Sequence, residues 1–87
     1  EAGNFCKKLN ASLSRLENPD YSRIAMELNI AVFDEHFTGI RNTKSEKELE
    51  ELYRLEDKIA FALDNGFIKT QDEAIALIKR NRLDITA

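Results

Sequence analysis

Places to break a helix are scarce in this chain, which has three glycines and one proline in 87 residues. Few turns imply long elements, and the apolar residues between the breaks recur at helical spacing rather than alternating. The sharpest break is Asn65-Gly66-Phe67-Ile68-Lys69-Thr70. It separates a run from Ser45 to Asn65, marked as helix at both ends, from another helix opened by Thr70. The chain upstream reads as further helix that must pack against this pair.

A first helix is expected from about Gly3 to Glu17. Phe5, Leu9, Leu13 and Leu16 follow one another at spacings of four, four and three, which puts them on one face, while Lys7, Lys8, Asn10 and Arg15 fall on the wet side. Asn18 is expected to cap the second helix, with Pro19 at its first position, where a missing N–H costs nothing. That helix, from about Pro19 to Thr38, is the most apolar. Tyr21, Ile24, Ala25, Leu28, Ala31 and Val32 form one face, and Met26, Ile30, Phe33, Phe37 and Ile40 form a second. A helix apolar on two sides is either central or carries a docking surface. Gly39 is expected to end it.

Arg41 to Lys44 is a polar connection of the length that joins antiparallel neighbours. Ser45 and Glu48 then fit a capping box. Leu49, Leu52, Leu55, Ile59, Ala62 and Leu63 define the buried arc of the third helix, with Tyr53 and Ala60 at its edge. Lys47 with Glu51, and Glu50 with Arg54, are spaced for surface ion pairs. Seven acids against three bases make this helix the acidic element. Gly66 stands where a left-handed residue closes a helix, and Phe67 is placed to fold back on the preceding turn. Thr70 and Glu73 form a second capping box for a last helix from about Gln71 to Asn81, burying Ala74, Ile75, Leu77 and Ile78. Leu83 to Ala87 reads as a short tail.

These patterns predict an all-α protein, an antiparallel four-helix bundle forming one domain over residues 1–87. Charged residues at 33% and apolar residues at 43% suit a folded helical chain. A net charge of −3 is too small to dictate a partner and counts against nucleic acid. Apolar runs such as Ile30 to Phe33 are far short of the roughly 20 residues of a spanning helix. Cys6 stands alone, so no internal disulfide forms and a reducing, cytoplasmic setting is the simpler expectation. The chain starts at Glu1 rather than Met, which leaves room for a removed leader.

Chemistry-bearing residues are few. His36 is flanked on its own helical face by Val32, Phe33, Gly39 and Ile40, while Asp34 and Glu35 point about 200° and 100° away. One histidine and one cysteine are a thin supply for a metal, so His36 is read as structural and no cofactor is expected. Cys6 lies near a helix start beside Lys7 and Lys8, which favours a thiolate, yet with no second thiol it is read as a small apolar residue. Glu56 falls inside the apolar arc. Either its side chain escapes to solvent, or it pairs with a cation such as Arg15 or Arg23. Phe61 is an aromatic on the polar side, either a contact for a partner or a tolerated exposed residue. No Gly-rich phosphate loop, Ser/His/Asp set or paired-cysteine motif is present, which argues against an enzyme. Two capped helices around a short turn also suggest a DNA-reading pair, but Asp72 and Glu73 at the second helix start would meet phosphates.

Asn18-Pro19-Asp20-Tyr21-Ser22 and Gly66-Phe67-Ile68-Lys69-Thr70, with the spacing between them, resemble the immunity proteins against pediocin-like (class IIa) bacteriocins. The resemblance spans about Phe5 to Leu83. It implies an antiparallel four-helix bundle that stays in the cytosol and recognises a membrane sugar-permease complex once the bacteriocin has bound it. Members are commonly basic and use the last helix and a longer tail for specificity, whereas this chain is acidic with a stub after Leu83. The expected function is binding of another protein without chemistry. Met26, Ile30, Phe33, Phe37, Phe61, Lys79, Arg80 and Arg82 are the candidate contacts. A self-associating regulatory or adaptor module is the alternative, and a small DNA-binding regulator using Lys79, Arg80 and Arg82 is a third.

Overall fold

A computed structural model describes the backbone of residues 2–86 and the side chains of residues 7–81. Four α-helices follow one another: α1 (Ala2–Leu13), α2 (Tyr21–Phe33), α3 (Glu46–Asp64) and α4 (Gln71–Thr86). A 3-10 turn, Ile40–Thr43, lies between α2 and α3. No strand occurs among the described residues, so the chain is all-α.

The first helix stops at Leu13 rather than Glu17. Ser14 near its end bonds locally, its Oγ donating to the Ala11 carbonyl at 2.6 Å. Such bonds compete with continuation of the helical ladder. Asn18 takes a left-handed conformation, φ 49°, instead of capping α2. The cap is Asp20, whose side chain accepts from the Arg23 amide at 3.0 Å. A capping residue has extended backbone, which Asn18 at this φ does not, and the helix starts two residues after Pro19, at Tyr21. Asp20 also ties helix starts together, its backbone N–H donating to Gln71 Oε1 at 2.5 Å.

The largest departure is the end of α2. The helix closes at Phe33, not Thr38, because Asp34 adopts a left-handed conformation (φ 64°) and its N–H bonds the Ile30 carbonyl at 2.9 Å. Aspartate tolerates this region better than most residues. Gly39, also left-handed, starts the 3-10 turn rather than ending α2. The turn carries Ile40 into the core.

The boundaries of α3 are as expected. Ser45 Oγ accepts from the Glu48 amide, and the Glu48 carboxylate accepts from the Ser45 amide, each at 3.2 Å. The Ser45 backbone N–H, then its hydroxyl, hold the Glu48 carboxyl below its usual range. At the other end the Phe67 amide bonds the Ala62 carbonyl and the Gly66 amide that of Leu63, a Schellman closure with Gly66 at φ 74°. Thr70 Oγ1 accepts from the Glu73 amide at 3.1 Å, but the Glu73 carboxylate reaches back to the Lys69 amide rather than that of Thr70. The backbone of α4 continues past Asn81 to Thr86, so most of the expected tail is helical.

Leu13, Ile24, Leu28, Ile40, Leu52, Ile59 and Ile78 are fully buried and, with the buried Leu9, define the core. Each such side chain contributes about 1.5–3 kcal/mol relative to exposure. Helix α1 lies chiefly on α3, and α2 on α4 and α3. The α1–α3 register is written in polar contacts: Lys8 Nζ donates to Asp57 Oδ1 and Ser12 Oγ to Asp64 Oδ1, both at 2.7 Å, and Arg15 also bonds Asp64. Positions rise together along both helices, so α1 and α3 run parallel, and close packing joins alternate helices. On α3, Arg54 pairs with Glu51 at 3.3 Å, the residue next to the Glu50 partner the spacing suggests.

Candidate functional site

Two features stand out, a polar chain running from the surface into the core and an exposed aromatic pair. The polar chain begins at Glu56. Helical spacing places it among the core residues Leu52, Leu55 and Ile59, and it is 1% exposed, so its side chain does not escape to solvent. Its partner is neither Arg15 nor Arg23. Arg15 is committed to Asp64, and Arg23 lies on the surface. Arg41 Nη1, from the 3-10 turn, sits 3.5 Å from Glu56 Oε2. Burial pushes the Glu56 carboxyl up from its ordinary value, against the lowering influence of Arg41. Glu56 Oε1 is buried and receives no hydrogen bond from the protein.

Arg41 reaches further. Its Nε donates to Oδ1 of Asn29, a buried residue on α2, at 3.0 Å. Asn29 Nδ2 in turn lies 3.0 Å from His36 Nδ1. With α2 closed at Phe33, His36 leaves the helix and stands exposed on the connection, not on a face with Val32 and Ile40. The chain His36–Asn29–Arg41–Glu56 thus joins α2, the connection, the 3-10 turn and α3. Asn29 carried no signal in the sequence beyond its place beside Leu28. A cleft of about 230 Å³ lies over Glu56 and Arg41, walled by Leu9, Ile24 and Leu28. Small-molecule sites usually span about 300–1,000 Å³. No group of three or more metal-ligating side chains occurs among the described residues.

The expected stripe on α2 is not assembled. Phe33 is buried, with Lys44 Nζ 5.2 Å above its ring, and Met26 and Ile30 are half-buried. Phe37 is 45% exposed but sits on the connection, off the helix. Phe61 is 57% exposed on α3 and Phe67 70% exposed after the Schellman turn, their ring centroids 6.1 Å apart. Apolar contact across such a turn is a regular part of helix closure. Here both rings stay more than half open to solvent. Lys79 and Arg80 are exposed on α4, while the side chains of Arg82 and Cys6 lie outside the described residues.

The chain matches no family model, no curated protein and no solved structure. No helix among the described residues is long and apolar enough to cross a membrane.

Proposed function

We propose that the protein acts without chemistry of its own by binding another protein, with Phe61 and Phe67 at the centre of the contact. The observation that carries this reading is the exposed, mutually packed ring pair on a rigid helix end. Aromatic side chains give large contact area at little entropic cost and are enriched in binding surfaces. Lys79 and Arg80 supply exposed positive charge on α4, beyond its acidic first turn.

In its most concrete form the protein is a cytosolic bacteriocin-immunity protein meeting a membrane permease complex. Supporting this are four helices, and the two turn segments around Pro19 and Gly66 on which the resemblance rests. Expression in a strain sensitive to class IIa bacteriocins should confer survival. Replacing both Phe61 and Phe67 by serine should abolish protection while leaving a folded protein. Absence of protection against every class IIa peptide overturns the immunity form. A second reading, self-association through the same rings, predicts a dimer by light scattering that the double serine variant dissolves. The DNA reading is weaker, since Asp72 and Glu73 occupy the first turn of α4.

A further inference from the structure

The polar chain has directions fixed by chemistry. Arginine only donates, so the bond from Arg41 Nε to Asn29 Oδ1 turns the asparagine carbonyl toward the 3-10 turn. The asparagine NH₂ then faces His36, and it too only donates. His36 Nδ1 must therefore accept, and the neutral imidazole carries its proton on Nε2. A second proton can be placed only on Nδ1, where it would meet the Asn29 NH₂ donor to donor. Turning the amide over would move the same conflict to Arg41. Asn29 is buried, so the mismatch falls where water is scarce.

We propose that protonation of His36 releases a latch on the connection between α2 and α3. In the latched state Asn29 holds both His36 and Arg41 while Ile40 sits in the core and Lys44 lies across Phe33. An imidazole is the side chain that normally changes charge between about pH 5 and 8. Once it is charged, the chain loses its outer bond, Arg41 loses its positioning, and residues 35–44 loosen over Phe33 and Ile40. The inference stands apart from the identity of any binding partner.

Charged groups of both signs stand around the latch. Beside His36 on its own segment are Asp34 and Glu35, and Glu35 Oε2 lies 3.6 Å from Lys44 Nζ. Lys44 is also 4.0 Å from Glu48 of α3. Across Asn29 stands Arg41, and beyond it Glu56 of α3. From α1 and α2 the residues lining the adjacent cleft are Leu9, Asn10, Tyr21, Ser22, Ile24, Ala25 and Leu28, none charged at neutral pH. No α4 residue lines that cleft or the pocket around His36.

The test is amide hydrogen exchange and NMR on the whole chain between about pH 7.5 and 5.5, the window of imidazole titration. Protection of the Ile40, Asn42 and Lys44 amides, corrected for intrinsic exchange, should fall roughly three- to tenfold on acidification, the effect of about one net hydrogen bond. The Arg41 Nε–H resonance should follow the same titration. His36→Gln keeps an acceptor for Asn29 and does not titrate, so its profile should be flat. Glu56 is present in both proteins and drops out of the comparison. Nitrogen shifts of neutral His36 should report the Nε2–H tautomer. Equal losses in both proteins, a flat wild-type profile for both amides and Arg41, or an Nδ1–H tautomer would each overturn the latch.

Discussion

Arg41 Nη1 lies 3.5 Å from Glu56 Oε2, so the shortest helical element of the fold holds the one buried acid of its longest helix. Removing the two partners should have unequal effects. Arg41→Met leaves a buried carboxylate without its cation and should destabilise by about 1–3 kcal/mol. Glu56→Gln keeps the shape, removes the desolvated charge and frees Arg41, which is partly exposed and can turn to water. It should be neutral or stabilising. Urea denaturation at neutral pH orders the two variants, and a costlier Glu56→Gln would mean that the pair is net stabilising.

The same acid sets a pH signature. The Glu56 carboxyl is raised above its reference of 4.5, so the folded state holds the proton more tightly. From about 4.5 up through the folded value the native state binds more protons than the unfolded one, and stability falls as pH rises. Asp64 has the opposite sign. The Ser12 hydroxyl and then Arg15 lower its carboxyl below 3.8, so its contribution is present above that value and is lost as pH falls through the folded one. In a His36→Gln background, which silences the imidazole, stability should decline as pH rises above about 4.5. Adding Glu56→Gln should flatten that slope. An unchanged slope would show that Glu56 titrates alike in both states.

What could be read from the sequence follows the range of the interactions. The caps at Ser45 and Glu48, the corner at Gly66, Leu9 and Leu13 of α1, and the core faces of α3 and α4 depend on residues within one or two turns and are found where the spacing puts them. The side chain of Phe5 lies outside the described residues. The end of α2 was hidden because a left-handed aspartate does the work usually signalled by glycine. That single boundary moved Phe37 and His36 off the helix and brought Arg41 to Glu56. Periodicity marked Glu56 as facing inward, but its partner is chosen through space by a 3-10 turn with no apolar period. Phe61 was legible as an aromatic on a polar face, and its packing on Phe67 required the geometry of the turn.

Asp34 offers a direct check on that boundary. A non-glycine residue at φ 64° carries strain that glycine avoids, partly offset by glycine's freedom in the unfolded chain. Both Asp34→Gly and Asp34→Val remove the carboxylate, so the backbone decides between them, and the valine variant should be the less stable by about 1 kcal/mol or more. Thermal melts resolve the pair, since about 1 kcal/mol moves Tm by about 4–8 °C in a domain of this size. A helix running on to Thr38 in solution would reverse the order, because glycine is a poorer helix former than valine.

Gly66 isolates backbone conformation more cleanly still. A Cβ built there meets nothing within 4 Å, so any loss on substitution comes from φ 74° and not from crowding. Gly66→Val should cost about 1–3 kcal/mol, because a β-branched side chain is strongly disfavoured in the left-handed region. Gly66→Asn should cost less, since asparagine visits that region with local hydrogen bonding. The loss should also reach the proposed binding surface. The Phe67 amide is held by the Ala62 carbonyl through this turn, and the ring rests 6.1 Å from Phe61. Phe67 ring resonances, shifted by Phe61, should move toward random-coil positions in Gly66→Val and stay near wild type in Gly66→Asn. Equal stability of the valine variant would mean that the corner closes without a left-handed residue.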